Sequence, residues 1–123
     1  MKKTQVKVLL KVKDGVLDAT VPGYEAEVAG LFVHRAPYTE GNEVKQETGV
    51  QCWNVSHTSG LTIPFGSGYD TRRDALRFAG FAGSVYDWSQ TWEEIKNEEG
   101  KRKHDVLSEL RRVNNRIFCG WEV

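Results

Sequence analysis

The sequence predicts an α+β fold, an antiparallel sheet of about five strands with one face covered by two helices. Three patterns point there. Apolar residues alternate on both sides of a "DG" turn between Val6 and Val21, and a second alternation surrounds "TSG" between Trp53 and Phe65. Apolar residues at helical spacing then run from Ala75 and again from Trp92. At 123 residues the chain has the length of a single domain, read as residues 1–123. Its 39% hydrophobic and 28% charged residues are the balance of a packed globular fold rather than of a disordered segment.

In the first hairpin Val6, Val8, Leu10 and Val12 share one face, which Leu17, Ala19 and Val21 continue beyond the turn. Placing Asp14 and Gly15 in a two-residue turn pairs Val12 with Leu17, Leu10 with Ala19 and Val8 with Val21. Pro22 and Gly23 end the second strand. A third strand has its strongest β character from Leu31 to Arg35 and is closed by Pro37. The polar, aperiodic stretch "TEGNEVKQETG" reads as the longest surface loop and as a place for mobility or partner contact.

Between Trp53 and Phe65 two turns compete. A two-residue turn at Ser59 and Gly60 pairs His57 with Thr62 and Val55 with Pro64. A three-residue loop of Thr58, Ser59 and Gly60 instead pairs Trp53 with Phe65, Val55 with Ile63 and His57 with Leu61. The second brings apolar partners together and puts Gly60 at the left-handed third position. Trp53, Val55, Ile63 and Phe65 then face inward, with Asn54, Ser56 and Thr62 outward.

Thr71, with Asp74 three residues on, starts a helix whose stripe of Ala75, Leu76, Ala79 and Ala82 is widened by Phe78, Phe81 and Val85. Gly80 and Gly83 permit close approach at some cost in helix propensity. Thr91 and Glu94 open a second helical region led by Trp92 and Ile95, and Val106, Leu107, Leu110 and Val113 continue in a similar phase. One long helix, or two separated at Gly100, fits that pattern. Glu98 with Arg102 and Glu99 with Lys103 are ordered as helical pairs four apart. The last stretch, "RIFCGWEV", suits a final strand.

The 17 basic and 17 acidic residues balance, so attraction to nucleic acid or an anionic membrane is not a property of the whole molecule, and any such binding is local. Lys2, Lys3, Lys7, Lys11 and Lys13 all precede the first acid, Asp14, and read as a lysine-rich strand protected against edge pairing. Cys52 and Cys119 are too few for a disulfide framework, and neither a cleavable signal nor an apolar run of about 20 residues stands out. These features point to a soluble cytoplasmic protein with reduced thiols and no membrane partner.

His34, His57 and His104 lack the spacing of metal ligands, and no motif calls for a metal or a cofactor. His57 reads first as a histidine at the rim of the core. Approach of His34 and His57 across neighbouring strands, with Cys52 as nucleophile, is the enzymatic alternative, weakened because Cys52 and Trp53 alternate to opposite faces. Gly66, Ser67 and Gly68 precede the helix that carries Arg72, Arg73 and Arg77, and backbone amides at a helix N-terminus favour phosphate. Those six residues form a candidate anion-binding surface; a flexible connection from hairpin to helix is the simpler reading of the glycines. A second group of cations, Lys101, Arg102, Lys103, Arg111, Arg112 and Arg116, is diluted by Glu98, Glu99, Asp105 and Glu109. Trp53 and Phe65 read as core rather than as a base-stacking pair. Trp88, Trp92 and Trp121 are not placed by pattern, and Trp88 is a candidate interface anchor.

The segments "WNVSHTSGL", "TRRDALRFAGFAG" and "DW" bring together Trp53, His57, Gly60, Leu61, Thr71, Arg72, Ala75, Asp87 and Trp88. In that arrangement the chain resembles small uncharacterised proteins of bacteriophages and integrating elements, which combine a Trp-led hairpin, a Thr-Arg helix and a trailing Asp-Trp. Pro64 and the "GSG" insertion depart from the pattern. The resemblance implies no known activity. Together with small size, neutral charge and no convergent catalytic set, it predicts a non-catalytic binding protein of a phage or mobile element. Such a protein contacts a host protein or nucleoprotein complex, with inhibition as one outcome. Direct nucleic-acid binding through the local Arg/Gly surface is the alternative, and a His/Cys enzyme is the third reading.

Overall fold

A computed structural model describes residues 2–98 and 100–118. Its elements in chain order are β1 (Lys3–Val12), β2 (Gly15–Glu25), β3 (Leu31–Arg35), β4 (Pro37–Glu40), β5 (Glu43–Gln46), β6 (Trp53–His57), α1 (Arg72–Val85), α2 (Trp92–Lys96) and α3 (Lys101–Phe118). The main sheet is antiparallel with order β1-β2-β3-β6, and β4 with β5 makes a separate two-stranded ribbon. The predicted α+β class is the observed one.

The sheet is rolled. The Leu9 N–H, on the outer edge of β1, donates to the carbonyl of Gly60 in the turn after β6 at 3.1 Å, so the two ends of the sheet meet. Both faces are therefore enclosed over much of their length. On one face Leu31, Val33 and Val55 pack with Ala75, Phe78, Ala79 and Ala82 of α1, while α3 lies along α1 and adds Val106, Leu110, Val113 and Ile117. On the other, Val6, Val8 and Val21 pack with Leu10, Ala19 and Phe32 and are capped by Val44 of the β4–β5 ribbon. Each Val, Leu, Ile or Phe of these clusters that is fully buried contributes about 1.5–3 kcal/mol relative to exposure, and each alanine less.

In the first hairpin the faces are as predicted and the register is not. Val12 pairs with Gly15, Leu10 with Leu17, Val8 with Ala19 and Val6 with Val21. Lys13 and Asp14 form the turn at negative φ and Gly15 takes the positive value, +136°, after it. A slip of two residues keeps every side chain on its own face, so the apolar stripe survives.

The second hairpin follows the three-residue loop as far as Ile63. The Leu61 carbonyl accepts from the His57 N–H at 2.9 Å, the Val55 carbonyl accepts from the Ile63 N–H at 3.1 Å, and Gly60 has φ +97°. The predicted Trp53–Phe65 pair does not form. Pro64 has no N–H to continue the ladder, Phe65 turns to φ +62° and is exposed, and Trp53 pairs with Tyr69 instead. Ser56, expected outward, is buried against His34, because the rolled sheet encloses that face as well.

Residues 39–49, predicted as loop, contain most of the β4–β5 ribbon, and Pro37 begins β4 rather than closing β3. The Thr71 hydroxyl caps α1 by accepting the Asp74 N–H at 3.1 Å, and Thr91 with Glu94 forms a full capping box on α2. A Cβ on Gly83 would stand 2.4 Å from Val28, whereas Gly80 faces open space. α2 and α3 are separate helices, with Gly100 at φ +73° between them. Glu98 precedes α3 and accepts from the Tyr86 hydroxyl instead of pairing along a helix with Arg102. Of the predicted final strand, Arg116, Ile117 and Phe118 belong to α3; Cys119, Trp121 and their neighbours lie outside the described residues.

Candidate functional site

α1 covers β3 and β6 and leaves open the end of the same sheet face where β1, β2 and β3 meet its N-terminus. Side chains that alternate onto this face converge there: Lys3 and Gln5 from β1, Tyr24 from β2, Arg35 from β3 and Trp53 from β6. Arg72, the first residue of α1, completes a cleft of about 540 Å³. Thr71 fixes where that helix begins and hence where Arg72 stands.

Arginines and aromatic rings alternate across the cleft. The Arg72 guanidinium carbon lies 4.5 Å from the Tyr24 ring centre, the Tyr24 and Trp53 ring centres are 6.5 Å apart with planes at 40°, and the Arg35 guanidinium carbon lies 5.3 Å from Trp53. Trp53 is held by its backbone, whose N–H and C=O both bond Tyr69, at 3.0 and 2.9 Å. Three of the lining residues are cations and none is a carboxylate. Among the described residues Lys3, Arg35, Arg72 and Arg73 have no ion-pair partner, while Arg77 pairs with Asp74 at 3.7 Å. Arg72 and Trp53 also border a second cleft of about 700 Å³ with Arg73, Leu76, Arg77, Glu25 and Glu27.

The predicted anion surface is thus rearranged. Arg72, Arg73 and Arg77 share one cleft. The glycine amides face inward: the Gly66 N–H bonds the Ile63 carbonyl at 2.9 Å and the Gly68 N–H bonds the Asn54 side chain at 3.1 Å, so neither is free for a phosphate. Gly66 is demanded by packing, since a Cβ there would meet Ile63 and the Val55 carbonyl at 2.8 and 2.9 Å. Ser67 is exposed between them. Trp88 is core rather than interface, 2% exposed, its indole N–H bonded to the Ala82 carbonyl at 2.9 Å and its ring set edge-on to Tyr86.

No family model, curated protein or solved structure matches the chain.

The histidines occupy opposite faces of the sheet. His57 is 3% exposed; its Nδ1 accepts the Ser59 N–H at 3.0 Å and its Nε2–H donates to the Gln90 carbonyl at 2.9 Å, partners that assign a neutral ring. Its ring centre lies 5.4 Å from that of Trp92 with the planes tilted by 48°, and with the Gln90 bond it ties the hairpin turn to the start of α2. Cys52 precedes β6 and His57 ends it, about 16 Å apart at 3.3 Å per residue. The Cys52 thiol donates to the Gly49 carbonyl and is buried, so the enzymatic alternative finds no Cys52–His57 pair to act through.

His34 makes an arrangement the sequence reading did not anticipate. Its Nδ1–H donates to its neighbour's carbonyl at Arg35, 2.9 Å away, and its Nε2 accepts from the Ser56 hydroxyl at 2.6 Å. Serine, histidine and orienting carbonyl stand as a nucleophile and base would. Both residues are 1% exposed, and neither lines either of the clefts beside α1. Burial lowers the His34 pKa from its ordinary value, with a smaller opposing effect from the Arg35 carbonyl. Among the described residues no group of three or more His, Cys, Asp or Glu is placed to hold a metal ion, and no helix is long and apolar enough to cross a membrane.

Proposed function

We propose that this chain is a non-catalytic binding protein whose contact face is the open cleft beside the start of α1. Its partner there is nucleic acid, free or within a nucleoprotein complex. The observation that carries the reading is the lining: Lys3, Arg35 and Arg72 converge on one cleft without a carboxylate, and Arg73 stands beside it. In a chain of zero net charge, such a local excess is matched to a polyanion, while the rest of the molecule carries the balancing negative charge and repels it. The resemblance to small proteins of bacteriophages and integrating elements implies no activity of its own and fits a small binding module, for which inhibition of a host nucleoprotein complex is one mode.

Fluorescence anisotropy of a labelled oligonucleotide over a salt series tests the reading. The expected result is binding that weakens steeply with salt, and an Arg72→Gln, Arg73→Gln double variant whose log–log slope is shallower by about 0.7 for each single-strand phosphate contact removed. Salt-insensitive or absent binding removes the proposal. A protein partner is the second reading, favoured by the Leu76 and Trp53 floor of the larger cleft between Arg73 and the acids Glu25 and Glu27. Tagged protein that keeps the same named partner after nuclease treatment would support it.

A further inference from the structure

We infer that the Tyr24–Trp53 pair is a stacking platform, and that the cleft therefore takes single-stranded rather than duplex nucleic acid. The inference rests on the nucleic-acid reading and adds to it what recognises the bases. Both rings are half-buried, pack against the core from below, and line the open cleft. They sit on paired strands, so little ordering is needed when a base arrives. An aromatic ring so placed offers a face to any nucleobase, and stacking of this kind is sequence-tolerant.

The spacing selects the form of the strand. The ring centres are 6.5 Å apart, about twice the 3.4 Å rise per nucleotide within one strand of a duplex. Two successive bases meet the two rings only from an extended, unstacked strand. A duplex presents base edges in its grooves and keeps the base faces stacked inside. The guanidinium groups over each ring supply the second half of the contact. The guanidinium groups of Arg35 and Arg72 lie over the faces of Trp53 and Tyr24, so for a base to stack there each has to turn from its ring to the adjoining phosphate. Lys3, at the cleft wall, adds a further phosphate contact. The volume of about 540 Å³ lies within the range of sites that enclose small organic groups, enough for a base with its sugar.

The test compares three labelled probes of equal length on the wild-type protein: an oligothymidine of about a dozen residues, a duplex, and an abasic strand with the same phosphates. The oligothymidine is expected to bind about tenfold or more tightly than either of the others. Trp53→Ala should weaken it by a similar factor without changing the salt slope, and Trp53→Phe should keep most of the affinity. Equal binding of all three probes overturns the stacking platform while leaving the arginine surface standing, and this arm needs no variant to fold. Tight binding by a folded Trp53→Ala protein, checked by its thermal melt, overturns it too. No binding of any probe fails the nucleic-acid reading itself and the platform with it.

Discussion

The Ser56–His34 pair and the Trp53–Arg72 cleft lie on opposite faces of one sheet, joined by the five residues of β6. The first has the residue types of catalysis at hydrogen-bond distance and no opening to solvent. The second has an opening and convergent cations, with no carboxylate, histidine or cysteine among its lining residues. Residue chemistry and access must coincide before a site is functional, and here they are separated by the thickness of the sheet. On the function proposed above, what stands beside α1 serves contact, and what stands behind the β4–β5 ribbon serves stability.

Substitutions should therefore divide into two classes. The largest effect is expected from Phe78→Ala, which empties a fully enclosed position packed against Tyr69 and should lower unfolding free energy by about 3–5 kcal/mol in a denaturant titration, with affinity per folded molecule unchanged. Ser56→Ala should come next. It leaves the His34 Nε2 without its donor in a closed space and should cost about 1–3 kcal/mol, again without loss of binding. A loss of binding in either folded variant would mean that the two faces are coupled.

A smaller effect is that of pH on His34. Its folded-state pKa lies below the unfolded value of 6.5, so the unfolded chain binds the extra proton first as pH falls. The contribution is fully present above about 6.5 and is lost as pH falls from there through the folded value. In that window the melting temperature should drop, with a slope of at most about 1.4 kcal/mol per pH unit. His34→Phe should flatten this part of the stability–pH curve. Should the slope persist unchanged, another group titrates there. The arginine variants on the open face should leave stability within about 0.5 kcal/mol.

Local pattern carried the elements further than their connections. β3 appears at the residues where β-branched and aromatic character peaks, and Thr71 caps α1 because a hydroxyl one residue ahead of a helix can act within its own turn. The first hairpin kept its faces and lost its register, because glycine serves either inside a turn or just after it and the alternation is blind to a slip of two. The β4–β5 ribbon has one anchoring apolar side chain, Val44, too little to leave a period in the sequence. Ser56 read as outward because alternation within one strand says nothing about what covers its second face.

The candidate site was legible only at Arg72, Arg73 and Arg77. Its other members stand at positions 3, 24, 35 and 53, on four strands whose neighbours are fixed by the sheet order and not by sequence distance. One signal was available. Arg35 falls in phase with Leu31 and Val33, a charged residue on the apolar side of a strand, which is where the covered face ends and the open one begins.

The bond from the Leu9 amide to the Gly60 carbonyl also bears on solubility. It caps one amide on the rim of β1 whose neighbours along that rim have no strand partner in the sheet order, so its opening would offer a second molecule a template for addition. Lys3, Lys7 and Lys11 recur at every other turn of that rim's alternation and place like charges wherever another copy of the strand would have to lie. A filled amide and the ammonium groups of Lys3 and Lys11, with Lys7 paired to Asp18 at 3.5 Å, are the features of this rim that oppose addition of another strand.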